Sequence, residues 1–287
     1  MQENSDAQLK HGADNGQTGP MVKQLRWKRV PPLLLVTFSL LLPLPTDYGQ
    51  AATPEEPPAA ETPPSPLDAS CREFHRLNSL LRDGNIPKEQ ARRELPRLLS
   101  RIKEEYFREN GKSFPRTDWL FPLRGYRATA VGDGPSHGYL PKGYDYYDGN
   151  RHGGHPSLDI FIHDRNQDDL DDRTGEPVAV LTITGGVVVS RETQWQEGSK
   201  LRGGKYLWLY DPSTDHLFYY AHLREVAVPV GRRVMPGEIL GFVGRSGLNA
   251  HKKRSPTHLH LTCLSTTTPA LLPENIYADL LRTRTVK

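Results

Sequence analysis

The sequence predicts a mainly β fold: an antiparallel β-sheet domain preceded by an α-helical hairpin. Three observations lead there. Apolar residues between 71 and 112 recur at helical spacing in two runs separated by a turn. From Phe114 onward short apolar strands alternate with Gly and Pro punctuation. A Pro-rich stretch sets these parts off from the N-terminus. A chain of 287 residues can hold one medium domain and a smaller one. The net charge of +3 is too slight to argue for nucleic acid, and no nucleic-acid partner is expected.

Residues 1–51 read as a signal-peptide region. The first twenty residues are polar and aperiodic, and a basic segment with Lys23, Arg26, Lys28 and Arg29 begins at Met21. The apolar run from Leu33 to Leu42 is short for a membrane span. Gly49-Gln50-Ala51 then offers small residues for cleavage near Ala51. This points to a start at Met21 and to export, into the periplasm, the cell envelope or the medium. The alternative is an uncleaved N-terminal anchor, so membrane contact is expected only through this segment. Residues 52–70, acidic and rich in Pro, form a linker.

Residues 71–112 place Phe74, Leu77, Leu80 and Leu81 on one helix. After the turn Asp83-Gly84-Asn85, a second helix carries Leu95, Leu98, Leu99, Ile102 and Tyr106. Packing against the main domain is the expected role. Residues 113–287 form the β domain. A strand and turn are expected at Phe121–Tyr126, and a long Gly/Tyr/Asp-rich loop at 132–154, whose tyrosines can line a substrate groove. Strands follow around residues 158–162, 178–183, 186–190, 206–210, 217–222, 238–243 and 258–263, and residues 273–281 can close with a short helix. The two cysteines, Cys71 and Cys263, can pair in an oxidising compartment, a long loop worth on the order of 5 kcal/mol in the chain-entropy model.

The chemistry concentrates in His258-Leu259-His260. In a strand these two imidazoles share a face while Leu259 and Leu261 point the other way. His155-Pro-Ser-Leu-Asp159 adds a histidine and a carboxylate, and His222 ends another strand. Two histidines and one carboxylate with one open position match a catalytic zinc site; a structural site would be closed by cysteines. Spacing alone does not choose among eleven histidines, since His152, His163, His216 and His251 are also present.

The segment from about Phe121 to Leu264 resembles the lysostaphin-type (LytM-domain) zinc metallopeptidases, which cut peptide bonds in bacterial cell-wall peptidoglycan. The family's His-x-x-x-Asp, Tyr-x-His-Leu and His-x-His motifs are matched by His155–Asp159, Tyr220-Ala-His222-Leu and His258-Leu-His260. A Val- and Gly-spaced hairpin from Val230 to Gly247 lies between the last two, as in the family. The resemblance implies a LytM-like catalytic domain that binds one Zn2+ through His155, Asp159 and His260. It makes His222 and His258 the catalytic pair beside the metal, and peptidoglycan peptides the substrate. Two alternatives stand beside this reading: a non-catalytic LytM-type module that binds wall or activates another hydrolase, and an extracellular zinc peptidase acting on proteins.

The chain departs from the family pattern at Ser157, where the family usually has Gly. After the first motif comes an acidic loop, residues 163–176. Its oxygens at Asp164, Asn166 and Asp168 resemble the start of a calcium loop, but the required glycine and glutamate are out of register, so it reads as a solvated loop. His251-Lys-Lys-Arg254 reads as a solvated basic turn near the site.

Overall fold

The structure, a computed structural model, describes residues 64–287. The signal region, the start at Met21, the cleavage point at Ala51 and most of the linker lie outside the described residues. Among the described residues no helix is long and apolar enough to cross a membrane.

Helix α1 (Pro66–Arg82) begins inside the stretch read as linker. The Ser65 hydroxyl accepts from the Asp68 amide, Pro66 occupies the first turn, and Asp68 adds an acid near the positive end of the helix dipole. Helix α2 (Lys88–Arg108) follows a turn through Gly84, which takes a φ of +74°. Both helices bury one apolar stripe, Leu67, Cys71, Phe74, Leu77 and Leu81 on α1 and Leu95, Leu98, Leu99 and Ile102 on α2.

Nine strands follow: β1 (Ser157–Phe161), β2 (Ala179–Leu181), β3 (Gly186–Glu192), β4 (Lys205–Asp211), β5 (His216–Val226), β6 (Arg233–Val234), β7 (Ile239–Val243), β8 (His258–Ser265) and β9 (Leu272–Pro273). Every pairing is antiparallel, in the order β1-β8-β5-β4-β3-β6; β7 joins β2 and β5, and β9 joins β8. A short helix α3 (Tyr277–Leu280) ends the domain. The expected antiparallel β domain with its preceding helices is present. Phe121–Tyr126, however, is not a strand. Leu123 makes only an isolated bridge to Val180, and Pro122 has no amide to donate to a ladder.

Strand alternation gives the sheet two different cores. One face gathers Leu158, Ile160, Leu207, Leu209, Phe218, Tyr220, Leu259 and Leu261. The other turns Val187, Val189, Tyr206, Trp208, Tyr210, Leu217 and Leu264 toward the apolar stripes of α1 and α2. The hairpin therefore packs on the sheet, as expected. Cys71 and Cys263 are both free thiols, the first in the helix-covered core and the second in the opposite one, so the pairing that the sequence allows does not occur.

The acidic loop is also not simply solvated. Asp164 is buried and its carboxylate accepts from the amides of Asp168 and Asp169 and from the Thr257 hydroxyl, which precedes β8. Asp171 is buried as well. Burial pushes its carboxyl up, but hydrogen bonds from Arg173 and from the Tyr126 hydroxyl draw it down to about 2. The carboxylates of Asp164 and Asp171 are thus occupied by the chain itself.

Two outcomes are expected. Phe74 is fully buried between α1 and the sheet, so Phe74→Ala should lower unfolding free energy by about 3–5 kcal/mol in urea titrations. The depressed Asp171 contributes stability that is complete above the unfolded carboxyl pKa near about 4 and is lost as pH falls through about 2. The stability gap between wild type and Asp171→Asn should therefore be constant from neutral pH to about pH 4.5 and shrink below about pH 3.5.

Candidate active site

Strand order builds the site. β8 lies between β1 and β5, so Asp159 on β1 sits opposite His260, and Ala221 on β5 flanks His260 from the other side. His258 and His260 share the helix-covered face, while Leu259 and Leu261 are 0% and 1% exposed in the opposite core.

His155 precedes β1 and is held by reciprocal backbone hydrogen bonds with Leu140, both 2.7 Å. Gly154, at φ +65°, lets the 138–143 segment pack beneath; a Cβ there would lie 2.9 Å from the carbonyls of Leu140 and Lys142. His222 adopts the left-handed region at φ +63°, next to an irregularity in the β5–β7 pairing. Non-glycine residues in that region are strained, and here the strain turns the ring toward β8. Its amide donates to the Gly203 carbonyl and its Nδ1 lies 2.8 Å from the Ser246 carbonyl.

The donor atoms of His155, Asp159 and His260 all lie within 4.8 Å of one another, and so do those of His222, His258 and His260. Asp159 is the hub: its Oδ2 is 3.3 Å from His155 Nε2 and 3.8 Å from His258 Nε2, and its Oδ1 is 3.0 Å from His260 Nδ1. The three-ligand set expected for a metal and the two histidines expected beside it thus converge.

The histidine rings show why this arrangement fits a cation. The Nδ1 atoms of His155, His222 and His258 lie against the carbonyls of Gly138, Ser246 and Pro256, which can only accept. These rings therefore carry their proton on Nδ1 and present a lone pair at Nε2. His260 is turned the other way. Its Nε2 lies 2.7 Å from the Ser157 hydroxyl, and its Nδ1 faces the metal-ligand cluster. The Ser157 hydroxyl can donate or accept, so His260 Nδ1 can offer Asp159 a proton or turn a lone pair to a cation shared with His155 and the Asp159 carboxylate. Burial pushes Asp159 up, but His155 and His260 hold it well below the usual carboxylate range. The Asp159 hydrogen bond raises His155. Burial, reinforced by His258 and His260, drives His222 well below the usual imidazole range, so it is neutral.

The other histidines lie elsewhere. His216 bonds Glu274 at 2.9 Å, His163 stacks on Tyr126, and His251 packs against Trp195. His152 lines the pocket in front of the cluster beside Tyr144, and burial takes it down to about 4. The sequence reading singled out neither His152 nor Arg202, which line that pocket, and treated Ser157 only as a departure from a pattern. For His152 the Gly/Tyr-rich loop was the available signal. For Ser157 it was the position two residues before Asp159 on the same strand face.

The ring orientations predict a measurable pattern. In 15N NMR, His155, His222 and His258 should be protonated at Nδ1, and His260 at Nε2 once zinc is added. Ser157→Ala should weaken zinc about 10–100-fold in chelator competition and leave the other three tautomers unchanged.

Residues 168–270 match the family model described as peptidase family M23. The matched stretch includes His222, His258 and His260 and begins after His155 and Asp159. No curated protein matches the chain. Among solved structures, lysostaphin from Staphylococcus simulans is 21% identical over 57% of this chain and 50% of its own, with a TM-score of 0.33. Its catalytic domain is 23% identical over 55% of this chain and 92% of its own, TM-score 0.34. A zinc-containing peptidase from Vibrio cholerae is 19% identical over 57% of this chain and 38% of its own, TM-score 0.33. The chain thus spans half of the full lysostaphin and less of the Vibrio peptidase. Over residues 168–270, with His222, His258 and His260 inside the match, this chain is similar to peptidase family M23.

Proposed function

We propose that the protein is an exported zinc metalloendopeptidase that hydrolyses peptide bonds in bacterial cell-wall peptidoglycan. The convergence of His155, Asp159 and His260 around one point, with His260 inside the stretch that matches peptidase family M23, carries this reading. Two imidazoles and one carboxylate are a donor set for zinc with a position left open for chemistry. Bound there, zinc supplies Lewis-acid activation of water and of the scissile carbonyl.

The remaining work falls to the chain. His222 and His258 stand with ring centroids 4.9 Å apart, each with Nε2 free. One Nε2 takes the proton of the attacking water, and the protonated partner donates to the oxyanion as it forms. The backbone carbonyls of Ser246 and Pro256 hold both rings in the required tautomer. Ser157 bonds His260 at the opposite ring edge. Export is supported by the basic and apolar segment that begins at Met21 and ends near Ala51.

The test joins metal analysis to peptidoglycan digestion. The purified protein should contain one zinc and should release fragments bearing new amines and no new reducing sugar. His155→Ala should lose both zinc and turnover. His222→Ala and His258→Ala should keep zinc and lower turnover by about 100-fold or more. Stoichiometric zinc without fragments would instead indicate a wall-binding module, and full hydrolysis by His258→Ala would overturn its assigned role.

A further inference from the structure

The helical hairpin does more than cover the sheet. Asn78, Leu81 and Arg82, near the end of α1, form the far wall of a pocket of about 300 Å3. The near wall of the same pocket is Asp159 with His222, His258 and His260. The far wall is tied down. Arg82 donates to Glu192 at 2.7 Å and to the Tyr206 hydroxyl at 3.0 Å. Asn78 accepts from the Tyr146 hydroxyl at 2.6 Å and donates to Ser190 at 3.0 Å. Gly149 passes so close to α1 that a Cβ there would sit 2.5 Å from the Leu81 carbonyl. A substrate chain running from the metal-ligand cluster toward α1 therefore meets a fixed wall. A volume of this size is at the lower limit of ligand pockets and suits one or two residues, not a continuing polymer.

The pocket also has an uneven charge. Two arginines line it. Arg82 is neutralised by Asp83 and Glu192. Arg202 is half-buried and donates to the His152 carbonyl, and no carboxylate among the described residues forms an ion pair with it. A guanidinium that is partly desolvated and unpaired is unfavourable until an anion joins it, and its planar fork matches a carboxylate. The neighbouring Tyr144 and Trp208 give the rest of the pocket an aromatic lining.

We propose that this pocket receives the carboxylate-bearing end of the substrate: Arg202 pairs with a substrate carboxylate one or two residues from the scissile bond, and α1 stops the chain beyond it. This rests on the peptidase reading above and narrows it to bonds close to a free carboxyl group. The carboxylate can be the α-carboxylate of a chain end or a side-chain carboxylate. The closed wall requires in either case that the chain end soon after.

Synthetic cross-linked peptidoglycan peptides test this in four forms: unmodified, amidated at the C-terminus only, amidated on the side chain only, and extended by several residues at the C-terminus. The full-length wild-type protein should lose about tenfold or more in kcat/KM when the recognised carboxylate is amidated, and the position of that amide identifies the source. Extension should abolish cleavage. Arg202→Gln should bring the acid-to-amide ratio near unity without lowering thermal stability, and Arg202→Lys should restore part of the ratio. Equal cleavage of all four forms by wild type would overturn the proposal, as would an Arg202→Gln variant that keeps the wild-type ratio. The same peptides are titrated against His222→Ala by calorimetry. Preference for the acid there, lost with Arg202→Gln added, establishes the pocket even if no bond is cut. In that event the peptidase reading alone fails. Equal binding of acid and amide overturns the proposal whatever the turnover.

Discussion

The register of β8 between β1 and β5 is the constraint on which the rest depends. β8 is buried on both faces but uses them for opposite purposes. Leu259 and Leu261 hold one core together, while His258 and His260 present two imidazoles on the other face. A slip of one residue would exchange the faces, placing imidazoles in an apolar core and leucines in the site. The same register sets Asp159 opposite His260 and Ala221 beside it. Core packing and site geometry are thus enforced by one set of backbone hydrogen bonds, and neither can drift without the other.

The surrounding hydrogen bonds decide which edge of each ring is available. Three histidines are committed by main-chain carbonyls, which offer no alternative to accepting. The fourth, His260, sits mid-strand, where its own carbonyls belong to the ladder, and its Nε2 meets a hydroxyl that can donate or accept. Ser157, 1% exposed and bonded in turn to Thr262 at 2.5 Å, supplies it. Asp164 acts at longer range. By accepting from Thr257 it ties the loop leaving β1 to the start of β8, and Arg245 bonds the same Thr257 hydroxyl from the other side at 3.1 Å. The strand that carries both histidines is therefore clamped at the residue just before it.

Much of this was legible in the residues, and the limits of legibility are physical. Period-two alternation exposed β8 and most other strands, because a sheet covered on one face by helices and on the other by its own core rewards apolar runs bounded by turns. Helical spacing exposed the hairpin, although α1 starts at Pro66 because Ser65 caps it, a local effect hidden in a Pro-rich context. The five residues that converge were singled out through the motif order of the family the chain resembles. What composition could not carry was anything set by long-range contact. The left-handed backbone of His222 depends on Gly203 and on the loop through Ser246. The burial of Asp164 and Asp171 in a stretch that reads as solvated depends on partners such as Tyr126 and Thr257. The two cysteines looked pairable only because sequence does not reveal on which side of a sheet each will lie.

Helix α1 also acts as a ruler. Its seventeen residues span about 25 Å at 1.5 Å per residue. Its last turns wall the pocket, and its first turn is held at the opposite end by a hydrogen bond from the Leu67 amide to Glu109 at 3.1 Å. Whatever is joined upstream of Pro66 is therefore attached about 25 Å from the pocket's far wall.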